Sequence, residues 1–202
     1  MKTSAIQGSQ AAIPVRSQPT RRLRGQALAW LASVLCACAS TPSQSIVEKL
    51  DPNTGTTVGV LAAPVQLVTT RNRGSGRDPF ASLAPFEIDR MGNREFFLWI
   101  AAPEDNGVPA SVQVLCNDQP LAVSATRLDL QQHKVSRPPY ARSAPWNGEW
   151  YFDLPPDALH CLASAHRVSL IARLADGMED EFTADAGQLK GVAAFEMRYV
   201  QP

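Results

Sequence analysis

Apolar and polar positions alternate along most of the chain beyond residue 55, and a period of two is the mark of strands with one buried face. Two runs rich in β-branched residues, 56–61 and 65–70, flank Ala62-Ala63-Pro64 and are expected to form an antiparallel pair. The turn residues Asp51-Pro52-Asn53-Thr54-Gly55 lead into them. From Glu95 to Ala101 both alternating sets are apolar, which predicts a strand covered on both faces. Val112, Val114 and Cys116 alternate with Ser111, Gln113 and Leu115, and a further strand is expected over 121–130, with Thr126, Leu128 and Leu130 on one side.

The segment 137–147 carries Pro138, Pro139 and Pro145 and should be extended or looped. Asn147-Gly148 then permits a tight turn, after which Trp150, Phe152 and Leu154 alternate with Glu149, Tyr151 and Asp153 as a one-sided strand. Pro156 stands where helices begin, and Leu159, Leu162 and Ala163 recur at helical spacing, so a short helix is expected over 155–165. Val168, Leu170, Ala172 and Leu174 alternate next, and Asp176-Gly177 turns the chain into 181–184, the clearest hairpin in the sequence. At the C-terminus two periods compete. Leu189, Val192 and Phe195 are near-helical, whereas Phe195, Met197 and Tyr199 alternate with Glu196 and Arg198; a helical turn over 188–191 followed by a strand accommodates both. Residues 71–79, RNRGSGRDP, are expected to form an exposed loop, and no repeat of fixed period is present. The pattern predicts a mainly β chain: a single antiparallel β-sandwich-like domain with one or two short helices, preceded by a signal helix.

Length and charge sharpen this reading at the N-terminus. The chain has 202 residues, room for one ordinary domain, and its 19 Lys+Arg balance 19 Asp+Glu. Every acidic residue lies at or beyond Glu48, whereas Lys2, Arg16, Arg21, Arg22 and Arg24 precede the apolar run Ala27 to Ala37. Cations followed by a short apolar run and then small residues are the layout of a secretory signal; the run is well short of the about 20 residues that span a bilayer.

The next residues, Leu35, Cys36, Ala37 and Cys38, resemble the lipobox of bacterial lipoproteins, over the first fifth of the chain only. The resemblance implies cleavage before Cys38 and attachment of a diacylglyceryl group and an N-acyl chain to it. Ala39 and Ser40 include no Asp, so the same resemblance implies sorting to the outer membrane, with the domain lipid-anchored on the periplasmic face. Cys36 departs from the commoner Ala or Ser and admits a rival register in which it is the modified residue. An ordinary signal peptide cut near Ala39, or a buried N-terminal helix, is the alternative to lipidation. Each buried acyl methylene contributes about 0.8 kcal/mol, so two or three chains hold a domain durably. Residues 1–20 are longer than such signals need, with Val15 as an alternative start, and Arg21-Arg22 lacks the rest of a twin-arginine motif. The organisation expected is therefore 1–37 leader and signal peptide, 38–50 lipidated tether and 51–202 β-rich periplasmic domain.

Removing the five leader cations leaves 14 basic against 19 acidic residues, an acidic domain that argues against nucleic acid as partner. Cys116 and Cys161 remain after processing. In an oxidising compartment they can form a disulfide; two separately buried thiols are the other arrangement. Tyr140, Trp146, Trp150 and Tyr151 lie close in sequence among prolines. They are candidates for a contact surface toward glycan, peptide or protein, or else cover one end of the core.

Candidates for other chemistry are thin. On a helix His160 and His166 point about 600° apart, to different faces, so no metal site is expected with Cys161; His133, among Gln131, Gln132 and Lys134, is expected in solvent. No serine sits in a glycine-flanked elbow, Gly74-Ser75-Gly76 being a loop, and no carboxylate pair is selected by spacing. Glu179, Asp180 and Glu181 read as a solvated hairpin flank. No catalytic residue and no cofactor are implied. The expected function is a non-catalytic binding, assembly or envelope-structural lipoprotein with an envelope protein or glycan partner; an envelope hydrolase with a dispersed active site is the alternative.

Overall fold

The computed structural model describes residues 46–69, 80–103, 111–126, 128–145, 147–173 and 177–200. The chain divides into Met1–Ala39 and Ser40–Pro202, and all described residues belong to the second unit. Cys36, Cys38, Trp146 and the 71–79 loop lie outside the described residues.

The domain is mainly β. Among the described residues one curled antiparallel sheet of eleven strands carries two helices. The first strands are β1 (Ile46–Leu50), β2 (Thr57–Leu61), β3 (Val65–Thr69), β4 (Phe80–Arg90) and β5 (Asn93–Pro103). They are followed by β6 (Ser111–Cys116), β7 (Gln119–Pro120), β8 (Ser124–Thr126), β9 (Asn147–Asp153) and helix α1 (Pro156–Ser164). The chain ends with β10 (Arg167–Arg173), β11 (Glu179–Asp185) and helix α2 (Lys190–Tyr199). The spatial order is β7-β6-β10-β11-β3-β4-β5-β9-β8, with β2 also beside β4 and β1 beside β2. Ile46–Leu50, assigned to the tether from sequence, is thus a strand of the folded unit.

The long β4–β5 hairpin is the spine. It turns at Met91-Gly92, both in the left-handed region (φ 55° and 85°), as a two-residue hairpin loop demands. Leu98 to Ala102 are buried on both faces, in agreement with the doubly apolar pattern. The runs 56–61 and 65–70 do not pair with each other. Both run antiparallel to β4 along the same edge, β2 against Phe86–Asp89 and β3 against Phe80–Leu83. Ala62-Ala63-Pro64 is a bulge, because the pairing shifts by two residues between Val60↔Phe86 and Val65↔Leu83. The hairpin partner of β2 is β1, through the Asp51–Thr56 turn.

Three other expectations are corrected. Among the described residues of the 121–130 run only Ser124–Thr126 is strand, and beyond it the Asp129 carboxylate accepts Gln131 N–H at 2.9 Å and folds the chain into a turn. Asn147-Gly148 opens β9, with Gly148 opposite Ala102; the turn bond runs one step earlier, from Asn147 N–H to Ala144 C=O at 3.1 Å. The expected C-terminal strand is instead helix over Lys190–Tyr199: Val192, Phe195, Glu196 and Tyr199 are buried at intervals of three and four, whereas Met197 is 60% exposed. The helix over 156–164 and the β10–β11 hairpin form where the pattern places them.

Register assigns the faces. One face carries Leu67, Leu83, Leu98, Ile100, Phe152, Leu170 and Val168 and is covered by α1 and α2, with Phe195 edge-on to Phe96 at 6.4 Å. The other carries Phe86, Phe97 and Trp99, and the 128–145 segment crosses it as a strap.

Candidate functional site

The strap is fastened by Tyr140. Its ring lies 5.1 Å from Trp99, and its hydroxyl donates to Pro85 C=O (2.7 Å) while accepting from Leu61 N–H (2.8 Å). Extending the β2–β4 register places Leu61 opposite Pro85, so the hydroxyl bridges the ladder position that the bulge opens. Burial pushes this phenol well above its ordinary pKa, with the Leu61 hydrogen bond acting against it. Tyr140 is therefore a core residue, 7% exposed, rather than part of a contact surface.

The two other described aromatic candidates do not gather. Trp150 and Tyr151, successive on β9, point to opposite faces. Trp150 packs partly buried against the core, and Tyr151 meets Phe86 edge-on at 6.1 Å. Burial first, then Glu149, pushes the Tyr151 hydroxyl up to about 12. Glu149 also accepts from Trp99 Nε1 at 3.0 Å, with Arg142 at 3.9 Å.

Between the strap and the β1–β2 turn lies an open groove of about 400 Å³. Asp51 builds it: one carboxylate oxygen accepts Ser136 N–H (2.7 Å) and the Ser136 hydroxyl, the other accepts Asn53 N–H (3.0 Å). The Ser136 hydrogen bonds hold this carboxyl below its ordinary pKa. Thr54 Oγ1 donates to Lys134 C=O (2.6 Å) and Lys49 Nζ to Pro139 C=O (3.1 Å), stitching turn to strap. Val58, Val135 and Pro139 are buried along it, Leu50 and Pro138 stand exposed, and Lys49 and Arg137 supply positive charge. Concave apolar surface with a few polar groups is the general form of a ligand site.

A second polar cluster lies on the helix-covered face. Glu87 on β4, 3% exposed, pairs with Arg94 on β5, whose Nη1 also donates to Tyr199 C=O at 3.0 Å in the last turn of α2. The Arg94 guanidinium stands 5.2 Å from the Tyr199 ring centroid. Glu48 on β1 takes Arg198 Nη2 and Tyr199 Oη, each at 3.3 Å. Burial raises the Glu87 carboxyl pKa, opposed by Arg94; burial, then Glu48 and Glu87, raises the Tyr199 hydroxyl to about 12. These charges hold the end of α2 to three strands: a cation sits at the helix C-terminus and every carboxylate named has a cationic or hydroxyl partner. Sequence spacing did not select Glu48, Glu87 and Arg94. The one local signal is Gly59 inside a β-branched run, where a missing side chain lets Tyr199 approach the strand.

Cys116 and Cys161 are disulfide-bonded, Cα atoms 6.4 Å apart, tying β6 to α1. Next to the bridge, His160 Nδ1 lies 2.7 Å from Glu196, linking α1 to α2. His133 is not simply in solvent: it meets Glu95 at 2.9 Å and the Phe97 ring at 5.4 Å. The acidic hairpin flank is ion-paired, Glu179 with Arg173 and Glu181 with Arg167. Among the described residues no group of three or more His, Cys, Asp or Glu is placed to hold a metal, and no helix is long and apolar enough to cross a membrane. Comparison with family models, curated proteins and solved structures gave no match.

Proposed function

We propose that this chain is an exported lipoprotein, anchored through Cys38 at the periplasmic face of the outer membrane, whose β-rich domain acts as a non-catalytic binding or assembly module. The observation that carries the reading is the division of its four cysteines. Cys36 and Cys38 lie in the lipobox-like segment behind a cationic, apolar leader, and Cys116 and Cys161 are bridged. A disulfide of this kind persists in secreted and periplasmic proteins and is rare in the reducing cytosol.

The polar chemistry of the domain supports holding rather than reacting. The Tyr140 hydroxyl, the Asp51 carboxylate and the Glu87–Arg94 pair each join segments distant in sequence. The groove beside the strap is the surface best shaped for a partner. Metabolic labelling with a palmitate analogue tests the anchor: Cys38→Ala should abolish labelling and leave the precursor unprocessed or released. Persistent labelling would move the site to Cys36 or end the reading. Active-site-dependent labelling by covalent hydrolase probes would overturn the non-catalytic part.

A further inference from the structure

The free edge of β1 and the groove at its C-terminal end share Lys49 and Leu50. Among the described residues β1 pairs on one edge only, with β2, and it is exposed from Val47 (38%) to Leu50 (67%), with Ile46 half-buried against the core. An open strand edge offers unpaired backbone N–H and C=O groups to an added strand. The groove continues from that edge with buried apolar Val58 and Val135.

Charge indicates the occupant. Arg94, Arg142, Arg167, Arg173 and Arg198 each stand within 4.0 Å of a carboxylate. Lys49, Arg90, Lys134, Arg137 and Lys190 have no carboxylate partner among the described residues, and of these Lys49 and Arg137, both exposed, line the groove. Asp51, the acid lining the groove, has both oxygens engaged by Ser136 and Asn53. In an acidic domain this leaves a local site for negative charge beside an apolar floor and an open strand edge.

We propose that β1 and its groove bind an extended acidic segment of a partner protein, the partner backbone adding to the β1 edge and its carboxylates meeting Lys49 and Arg137. The proposal rests on the binding-module reading and gives it a partner chemistry, strand addition with side-chain selection. The backbone edge favours a peptide over an acyl chain, which has no use for N–H and C=O groups.

The test uses the full chain in zwitterionic nanodiscs and a fluorescein-labelled peptide of alternating valine and glutamate, read by anisotropy. Saturable binding is expected, weakened about tenfold by the double variant Lys49→Met/Arg137→Met and by glutamine in place of glutamate. N-methylation of alternate peptide amides should abolish it. The glutamine peptide probes the same charge on unaltered protein, so a folding defect in the double variant would not obscure the answer. No saturable binding, or binding indifferent to the charges, overturns the proposal. So does saturable uptake of a fluorescent fatty acid in place of the peptide, or self-association through β1 in sedimentation. Lack of acylation at Cys38 would instead count against the anchor and leave this result readable.

Discussion

Gly59→Ala should be destabilising out of proportion to one methyl group. Gly59 lies in β2 between Glu48 of β1 and Glu87 of β4, on the face that receives α2. A Cβ there would stand 2.4 Å from Tyr199 Oη, 2.7 Å from its Cζ and 3.1 Å from Glu87 Oε2. The tyrosine cannot swing away cheaply, because its ring is 4.7 Å from Phe195 and 5.2 Å from the Arg94 guanidinium, and the residue is 8% exposed. Overpacking of about 1–3 kcal/mol, with loss of the Tyr199–Glu48 hydrogen bond, gives an expected loss of about 2–4 kcal/mol. For a domain of this size each kcal/mol lowers the thermal midpoint by roughly 2–4 °C. A double-mutant cycle isolates the cause. In a Tyr199→Ala background the clash is gone, and Gly59→Ala should be neutral or slightly stabilising, since glycine weakens a strand interior by roughly 0.5–1 kcal/mol. Equal losses in the two backgrounds, or a loss below about 0.5 kcal/mol in the parent, would refute the packing described.

Tyr140→Phe leaves Leu61 N–H and Pro85 C=O buried without their shared partner, an expected loss of about 1–3 kcal/mol in urea unfolding; no loss would mean that the bulge closes on itself. Reducing the Cys116–Cys161 bridge, which spans 45 residues, should lower stability by about 4 kcal/mol on the chain-entropy model, read as a drop in the unfolding midpoint with reductant; an unchanged midpoint would contradict it. Acid titration of stability separates two carboxyls of opposite sign. The Asp51 carboxyl is held below its ordinary 3.8, so its contribution is present above that pH and lost as pH falls through the depressed value; the gap between parent and Asp51→Asn should shrink there. Glu87 is raised above 4.5, so its contribution is full below 4.5 and lost as pH rises through the raised value, and Glu87→Gln should remove that segment of the profile.

Strands whose local period and tertiary role agree were legible: Val114 and Cys116 of β6 and Val168, Leu170 and Ala172 of β10 are buried as their alternation marks, and β5, apolar on both sets, is covered on both faces. What was missed is non-local. Whether 56–61 and 65–70 pair with each other or line up beside a third strand depends on β4, whose start Phe80–Phe86 carried no strand assignment from its own residues. The C-terminal stretch satisfies both periods, and the choice was made by what it meets: Phe96, Arg94 and the gap at Gly59 accept a helix presenting Phe195 and Tyr199 one turn apart. The groove was invisible for the same reason. Asp51 and Ser136 lie 85 residues apart, and only the strap's path over Trp99 brings them together.

The central claim, an exported domain held by a lipid on Cys38, is tested most directly by intact-mass spectrometry of the protein extracted from bacterial membranes. The account predicts a chain beginning at Cys38, carrying a diacylglyceryl group and an N-acyl chain, and two hydrogens lighter for the Cys116–Cys161 bridge. A mass retaining residues 1–37, or a chain with an unmodified Cys38, would contradict it.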